Sequence, residues 1–212
     1  IFVSNWIKSH SEKLINIKFK NYAIIPNFIN DKIFAYKEKE PNLRKKIFFV
    51  RRFDDCNKYG IDINVKTILL LSKKPFFKNL EFNIYGTGNL YNELLDPIKD
   101  FENVNLFPEF LNHKQIAKVH SENGIAFFPT RYDAQGVSMC EAASSGLAVV
   151  TSDNPAIKEF LNIDINIFAS TENEVEYAKI IEELYYNPEK FTNYSELCHK
   201  SIYEKCNFDK TI

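Results

Sequence analysis

Short apolar runs alternate with longer amphipathic stretches along most of the chain. The runs rich in Val, Ile and Phe predict β-strands at Ile47–Arg51, Leu80–Tyr85, Val104–Phe107, Gly124–Pro129, Ala148–Ser152 and Asn166–Ala169. Continuous apolar runs, rather than strictly alternating ones, are typical of strands that are buried on both faces. Apolar residues at helical spacing predict helices at Asp62–Leu71, Asn89–Lys99, His113–Glu122, Gly136–Ser145 and Glu172–Tyr186.

This alternation predicts an α/β fold with a Rossmann-like, doubly wound parallel sheet that helices cover on both sides. The carboxyl ends of the strands then meet at one edge of the sheet, where ligands bind. The beginning of the chain predicts a strand at Ile1–Ser4, a helix at Asn5–Leu14, a strand at Ala23–Ile25 and a charged, solvated connector at Lys37–Lys46. We therefore expect residues 46–212 to form the compact domain and residues 1–45 to be the end of a preceding domain and its linker.

Net charge, cysteine spacing and the length of apolar runs disfavour several classes of function. The formal net charge of −1 over 212 residues gives no overall attraction to nucleic acid or to an anionic membrane, so any anion must be held by a local site. The four cysteines form no C-x-x-C pair and have no histidine at zinc-ligand spacing, which favours free thiols in a reducing compartment. The chain shows no signal peptide and no apolar run near the roughly 20 residues of a membrane span. We expect a cytoplasmic protein.

The segment Phe127–Ser152 carries the most informative pattern. A buried strand ends at Pro129, a polar turn holds Arg131 and Asp133, and Gly136 opens a helix whose first turn has small side chains. Free N–H groups at a helix N-terminus bind anions such as phosphate, and glycine permits close backbone approach. Glu141 lies in the same helix and is suited to accept hydrogen bonds from ribose hydroxyls. The alternative is an ordinary strand–helix turn with a solvent-facing glutamate.

Two further loops follow predicted strands. Arg52 and Lys58 come after the first strand of the domain and are suited to neutralise a diphosphate, although a solvated basic loop has the same composition. Gly86 belongs to a G-x-G turn after the second strand. That turn lacks the third glycine of a dinucleotide fingerprint, which favours a tight turn packed near a ligand. We expect His113 and His120 to be solvated or satisfied in packing. Asp133 and Glu141 do not obviously flank a sugar bond as glycosidase carboxylates do.

Several of these motifs together resemble a known family. Asp133 and Glu141 stand at the spacing of the E-x7-E region of GT-B glycosyltransferases, and the text through Thr151 is most similar to family 4, the retaining group 1 transferases. Arg52 and Lys58, followed by Gly60, are similar to the basic residues after the first strand of that family's C-terminal domain. The remaining similarities are the G-x-G turn at Gly86, the linker Ile25-Pro26-Asn27 and the C-terminal segment Asn207–Thr211. The resemblance covers nearly the whole chain, in order.

The resemblance implies a role for each matching residue. Arg52 and Lys58 would bind the diphosphate of a nucleotide-sugar donor, UDP- or GDP-linked. Asp133 would contact the donor sugar, and Glu141 would bind the ribose. The remaining implied donor contacts are the backbone at Gly136, Val137 and Ser138, the turn at Gly86, and Phe110 and Leu111 beside the base. Similar enzymes need no metal or other cofactor and retain the anomeric configuration.

The sequence departs from the family pattern in ways that bear on the donor. Asp133 replaces the usual Glu, Gln135 replaces a common Phe, and Phe28 stands where the linker glycine is expected. The acceptor, a glycan, lipid or protein, would bind to an N-terminal domain of which only the last strand and helix are present. We therefore expect weak donor binding and little transfer by this chain alone, and possible peripheral membrane association of the full enzyme.

Two other functions stay open at this point. One is a non-catalytic nucleotide-binding or regulatory module on the same fold, since fold does not fix function. Retention of Arg52, Lys58 and Glu141 favours the transferase over that module. The other is a dinucleotide-dependent oxidoreductase, which the incomplete glycine fingerprint disfavours.

Overall fold

The protein is described by a computed structural model that covers residues 1–54, 58–161 and 168–211. Its strands are β1 Lys46–Val50, β2 Glu81–Tyr85, β3 Val104–Phe107, β4 Ile125–Phe128, β5 Ala148–Ser152 and β6 Phe168–Ala169. Every predicted strand of the domain is confirmed to within about two residues. Asn166 and Ile167 of the last prediction lie outside the described residues.

The strands form one parallel sheet in the order β3-β2-β1-β4-β5-β6. β1 pairs with β2 from Lys46↔Glu81 to Val50↔Tyr85, and on its other side it pairs with β4 at Ile47↔Ile125. The chain builds outwards from β1 to β3 and then crosses to β4 on the other side. This is the doubly wound Rossmann arrangement, so that part of the prediction is confirmed, and its topological switch point lies between β1 and β4.

Helices fill the connections of the sheet and flank it. They are α1 Asn5–Ile15, α2 Ile61–Leu71, α3 Tyr91–Leu95, α4 His113–Glu122, α5 Val137–Ser144, α6 Pro155–Phe160, α7 Glu174–Tyr186, α8 Pro188–Cys206 and α9 Phe208–Thr211. α2 packs against α7, and α5 packs against α8. β4 and β5 are buried along their whole length, as expected for strands between two helical layers. None of the helices described is both long and apolar enough to cross a membrane.

Local chemistry sets most helix ends. Asn112 and Gln115 form a capping box that starts α4, with hydrogen bonds of 3.0 and 2.9 Å in the two directions. α5 lies between Gly136 and Gly146, whose φ angles of 76° and 81° are in the left-handed region. It is one residue shorter at each end than predicted, because Gly136 is the residue that precedes the helix.

Two helix predictions were too long. The predicted helix Asn89–Lys99 is α3 followed by a 3₁₀ segment at Asp96–Ile98, since Pro97 has no N–H to continue an α-helix. The predicted helix from Glu172 begins instead at Glu174, because the Asn173 side chain accepts from the Glu176 N–H and caps it. α6 and α8 had not been predicted.

The first residues pack against the domain. The two predicted N-terminal strands are reduced to a single parallel bridge, Phe2↔Ile24. The Glu159 carboxylate on α6 accepts from the backbone N–H groups of Asn5 and Trp6 at 2.8 and 2.5 Å, and so holds the start of α1.

The charged connector before β1 is only partly solvated, which corrects the prediction. Lys39 is 2% exposed, and its ammonium group donates to the His120 carbonyl at 2.6 Å. Pro41–Lys45 forms a 3₁₀ helix that leads into β1. Segment 33–39 therefore belongs to the packed structure of the domain.

The described cysteines and His120 are buried in the packing of the domain. Cys140, Cys198 and Cys206 are buried free thiols, as predicted, and Cys56 lies outside the described residues. His120 is buried, and its Nδ1 lies 2.9 Å from the Ser145 hydroxyl. This confirms the expectation of a histidine satisfied in packing.

Candidate functional site

The loops after β1, β2 and β3 and the first turn of α5 enclose a cleft of about 210 Å³, which we call the switch-point cleft. It lies at the carboxyl edge of the sheet beside the crossover from β1 to β4, where open α/β sheets bind ligands. Of the residues singled out in the sequence, those that line it are Arg52, Gly86, Phe110, Leu111 and Ser138. The fold thus brings together residues that lie up to 86 positions apart in the sequence, from Arg52 to Ser138.

Arg51 is the first residue after β1 and also lines the cleft. Its guanidinium carbon lies 4.3 Å from the ring centre of Phe128 and 4.8 Å from that of Tyr59. Burial lowers the pKa of Arg51, and the nearby Tyr59 and Asp133 oppose that shift. Among the described residues, Arg51 has no carboxylate partner. It is therefore a desolvated cation that faces the cleft and is held by two rings.

Arg52 is exposed and tied to a neighbour. Its Nε and Nη2 both donate to Oδ2 of Asp54, with the Nε bond at 2.9 Å. The other oxygen of Asp54 accepts from the Asn89 N–H at 3.1 Å. The bond from Arg52, and after it the bond from Asn89, lowers the pKa of Asp54. An incoming anion would compete with Asp54 for Arg52, whereas no described carboxylate competes for Arg51.

The G-x-G turn after β2 fixes the path of this arginine loop. A Cβ on Gly86, whose φ is +140°, would lie 1.8 Å from the Arg51 carbonyl oxygen. The Phe53 N–H donates to the Thr87 carbonyl at 3.0 Å. The glycine therefore lets two loops pack backbone to backbone, and this packing sets where Arg51 and Arg52 leave the sheet.

Lys58 lies at the far end of the same loop. The Lys58 carbonyl accepts from the Arg131 N–H at 2.9 Å, and Tyr59 bridges to Thr130. These contacts join the loop after β1 to the loop after β4. The Lys58 side chain is exposed, with its ammonium 5.0 Å from the Tyr59 ring centre, and has no carboxylate partner in the part of the chain that is described.

Arg131 braces the loop after β4. It donates to both carboxylate oxygens of Asp62 at 3.0 and 2.9 Å, and to Glu172 on the opposite side. The hydrogen bonds from Arg131 to Glu172 and Asp62, in that order, raise the pKa of Arg131. This arginine holds α2, the β4 loop and the segment before α7 together.

The Asp133 carboxylate accepts hydrogen bonds from the backbone of its own turn. Its Oδ1 accepts three backbone hydrogen bonds, from Ala134, Gln135 and Gly136, at 2.8, 3.2 and 2.8 Å. One carboxylate oxygen is thus occupied by the turn, and Oδ2 remains for a ligand. The Gly136 N–H is likewise used inside the protein.

The N-terminus of α5 keeps donors beyond Gly136. The N–H groups of Val137 and Ser138 have no acceptor among the described residues. Ser138 lines the cleft, so the positive end of the helix dipole points towards it. Of the three backbone donors predicted at Gly136, Val137 and Ser138, the first is thus used by Asp133, and the other two remain as candidates for an anion.

Gln135 fixes the turn before α5 to the linker. Its Oε1 accepts from the Asn27 backbone N–H at 2.7 Å and side-chain amide at 2.9 Å, and its Nε2 donates to the Asn27 carbonyl at 2.8 Å. Gln135 is 2% exposed, so these bonds are shielded from water. We call this set of bonds the Gln135 clamp.

Glu141 lies one helical turn after Ser138 and therefore on the same face of α5. Its carboxylate has no hydrogen-bond or ion-pair partner within the described ranges. Burial raises its pKa to about 7. A partly buried carboxylate with a raised pKa is typical of a functional group. Glu141 is nevertheless not among the described residues that line the switch-point cleft, and the same holds for Lys58, Asp133, Gly136 and Val137.

The sequence profile described as "Glycosyl transferases group 1" matches residues 44–187, which is more than half of the chain. The chain belongs to this family. A search among curated proteins returned no significant match.

Solved structures share the fold at low sequence identity. TarM from S. aureus, as a variant in complex with fondaparinux, alpha-GlcNAc-glycerol and UDP, superposes with a TM-score of 0.83 at 21% identity, over 99% of this chain and 41% of TarM. Sucrose-phosphate synthase from Thermosynechococcus elongatus gives 0.79 at 16% identity, over 98% of this chain and 54% of that one. The C-terminal domain of a group 1 glycosyl transferase, LpcC from Francisella tularensis, gives 0.71 at 15% identity, over 85% of this chain and 99% of that domain.

The superpositions differ in how much of each relative the chain covers. The chain spans less than half of the length of TarM and about half of sucrose-phosphate synthase. It covers nearly all of the isolated C-terminal domain of LpcC. The fold is therefore the Rossmann-like domain found in GT-B glycosyltransferases.

Two residues of the site were missed in the sequence. Arg51 had been assigned to the end of the first strand, whereas β1 ends at Val50 and leaves Arg51 at the sheet edge. Tyr59 carried no prediction, although it contacts Arg51 and lines the cleft. The pair Arg51-Arg52 at a strand end was a usable signal for the first, whereas the position of Tyr59 depends on its bridge to Thr130.

Proposed function

We propose that this chain is the donor-binding part of a retaining glycosyltransferase, which moves a sugar from a nucleotide-diphosphate sugar to an acceptor. The observation that carries the proposal is the switch-point cleft, which Arg51 and Ser138 at the start of α5 both line. Within the described residues, the Ser138 N–H has no acceptor and Arg51 has no carboxylate partner. Membership of the group 1 family and the UDP named for TarM support a nucleotide-linked donor.

The diphosphate would lie against the N–H groups of Val137 and Ser138. Arg52 and Lys58 would neutralise it, as the family resemblance implies, and we add Arg51 to that pair. As the bond to the sugar breaks, negative charge grows on the diphosphate leaving group. Fixed donors and cations stabilise that charge and lower the barrier without any reorganisation at the moment of reaction. Metal-independent transfer remains part of the proposal.

The remaining contacts of the donor concern its ribose, its base and its sugar. Glu141 would accept hydrogen bonds from the ribose hydroxyls, since it is a partly buried acceptor one turn from Ser138. Phe110 and Leu111 would lie beside the base, near Gly86. Asp133 would offer Oδ2 to the donor sugar, while its Oδ1 stays with the turn.

Some parts of the proposal concern the whole enzyme. A glycan, lipid or protein acceptor would bind to an N-terminal domain, and residues 1–45 would be its end and the linker. A cytoplasmic location and peripheral membrane association belong to the same proposal.

Titration calorimetry with UDP, GDP and uridine tests the assignment. Lys58→Ala should weaken UDP binding by about 1–3 kcal/mol through loss of a charge-assisted contact, and should leave uridine unaffected. Glu141→Ala should weaken all three ligands by a similar amount. Lys179→Ala on α7, another exposed lysine, is the matched control and should change nothing. Equal affinity of wild type and Glu141→Ala for every ligand would remove the ribose assignment.

A non-catalytic nucleotide-binding module remains the second candidate, because Asp133 and Arg52 are both engaged inside the protein. It predicts that UDP and a UDP-sugar bind equally well. If Asp133 instead contacts the donor sugar, Asp133→Asn should weaken the UDP-sugar more than UDP. If Asp133→Asn leaves the affinities for UDP and for the UDP-sugar unchanged, the non-catalytic module is favoured.

A further inference from the structure

A second basic depression lies away from the switch-point cleft and shares no lining residue with it. It has a volume of about 240 Å³ and lies between segment 33–39 and the C-terminal ends of α4 and α5. We call it the lysine pocket, after the cations that line it: Lys37, Lys39 and Lys118.

Lys39 is the innermost of these cations. It is 2% exposed, and one of its donors is used by the His120 carbonyl at 2.6 Å. An ammonium group has three N–H donors, and Lys39 forms no ion pair within the described residues. Burial, with a smaller contribution from Lys37, lowers its pKa to about 8. A buried ammonium without a counter-charge is costly, and an anion in the pocket would relieve that cost.

The negative groups around the pocket do not cancel its charge. α4 and α5 present their C-terminal ends here, and each end carries about half a negative charge. Glu122 lies 3.9 Å from Lys118, and both side chains are exposed, so that pair is weak. Glu38 is exposed beside Lys37. The pocket thus has three ammonium groups. The two helix ends carry only partial negative charges, and the surface carboxylates are screened by solvent, so the net charge of the pocket is positive.

The hydrogen-bond donors that remain free in the pocket indicate which kind of anion it would bind. The Ser121 and Ser145 hydroxyls bond internally, to the Lys118 carbonyl at 2.7 Å and to the Glu141 carbonyl at 3.1 Å. The free donors are therefore the ammonium groups, which bind phosphate as point charges. A volume of about 240 Å³ is enough for a phosphate group.

We propose that the lysine pocket binds a phosphate group, either as inorganic phosphate or as the phosphate monoester of a small molecule. The site is separate from the proposed donor site and does not depend on it. It lies at the other end of α5, where Ser145 contacts both His120 and the Glu141 carbonyl.

Calorimetry on the full chain tests the proposal, with inorganic phosphate and glycerol phosphate as ligands at constant ionic strength. The double variant Lys37→Gln/Lys118→Gln alters exposed side chains, so it should fold, and unchanged UDP binding checks this. We expect at least about a tenfold loss of phosphate affinity, equivalent to about 1.4 kcal/mol. Lys58→Gln, in the loop of the switch-point cleft, is the matched control and should keep wild-type phosphate affinity.

Three results would overturn the proposal: no phosphate binding by the wild type, unchanged affinity in the double variant, or an equal loss in Lys58→Gln. The last result would move phosphate to the switch-point cleft. Tighter binding of glycerol phosphate than of inorganic phosphate would identify the ligand as a monoester, and the reverse order would identify the free ion. Failure of UDP binding with intact phosphate binding would count against the proposed donor site alone.

Discussion

The two ends of α5 offer an anion very different surroundings. At the N-terminus, the backbone N–H groups of Val137 and Ser138 add to the cations of the switch-point cleft. At the C-terminus, the helix carbonyls oppose the cations of the lysine pocket. The partial charge of a helix end is about half a unit, with opposite sign at the two ends. Backbone and side chains would therefore share the proposed anion binding in the cleft, whereas side chains alone would have to supply it in the lysine pocket.

The two depressions also differ in how they are built. The cleft depends on loop backbones that lie close together, as at Gly86 and Arg51. The lysine pocket depends on long side chains carried by segment 33–39 and α4. A backbone change should therefore damage the cleft selectively, and a charge change should damage the lysine pocket selectively.

The largest effect should come from Gly86→Ala. The new Cβ would overlap the Arg51 carbonyl at 1.8 Å, in a backbone conformation that side chains rarely adopt. We expect a loss of about 3 kcal/mol from overpacking and strain. For a chain of this size that loss lowers Tm by roughly 6–12 °C. UDP affinity should fall because Arg51 moves, while phosphate binding in the lysine pocket should survive at low temperature.

Gly136→Ala is the matched control for this change, measured by thermal denaturation beside Gly86→Ala. Gly136 also has a positive φ, of +76°, but its new Cβ would meet only the Met139 side chain, at 3.4 Å. The expected cost is about 1 kcal/mol of backbone strain. Equal destabilisation by the two variants would show that close packing at Gly86 does not determine the cleft.

An intermediate effect concerns pH and Glu141. Its pKa is raised from 4.5 to about 7 in the folded state, so the folded protein binds the extra proton between those values. Stability should therefore fall as pH rises through this window, by about 2–3 kcal/mol between pH 5 and 8. Glu141→Gln should remove this decline, and urea denaturation of both proteins at several pH values measures the difference. Parallel pH profiles would show that Glu141 is solvated and ionised throughout.

The smallest effect should separate the two neighbouring arginines. Arg51→Met should weaken UDP binding by about 1–2 kcal/mol, because Arg51 is desolvated and has no carboxylate partner in the part of the chain that is described. Arg52→Met should cost less than about 1 kcal/mol, since Arg52 is exposed and already bonded to Asp54. Calorimetry with UDP gives both values. A larger loss of UDP affinity in Arg52→Met than in Arg51→Met would make Arg52 the stronger diphosphate contact, as the sequence resemblance implies.

The sequence predicted the sheet well because its strands are short runs rich in Val, Ile and Phe, separated by longer helical stretches. It failed for α8, where Phe191, Tyr194, Cys198 and Ile202 are buried at helical spacing but are separated by polar residues. It also overextended the helix at Asn89, although Pro97 was a local signal for its end.

The site was predictable where backbone chemistry is local, and was less predictable where it depends on tertiary contacts. Gly86 and Ser138 followed from a glycine turn and a helix start, and both line the cleft. The occupation of Asp133 by its own turn depends on how the chain closes around Gly136. The burial of Lys39 depends on α4, which is distant in sequence, so a charged stretch was interpreted as solvated.

The Gln135 clamp has a consequence for how the N-terminal segment is attached. Asn27 is bonded on both its N–H and its carbonyl, and the Ile29 N–H donates to Cys206 at 2.7 Å, so the chain is anchored from residue 27 onwards. The chain before Asn27 is held separately, because the Asn5 and Trp6 N–H groups donate to Glu159 on α6. The N-terminal segment is therefore fastened to the domain at two places, and the linker between them is closed at both ends.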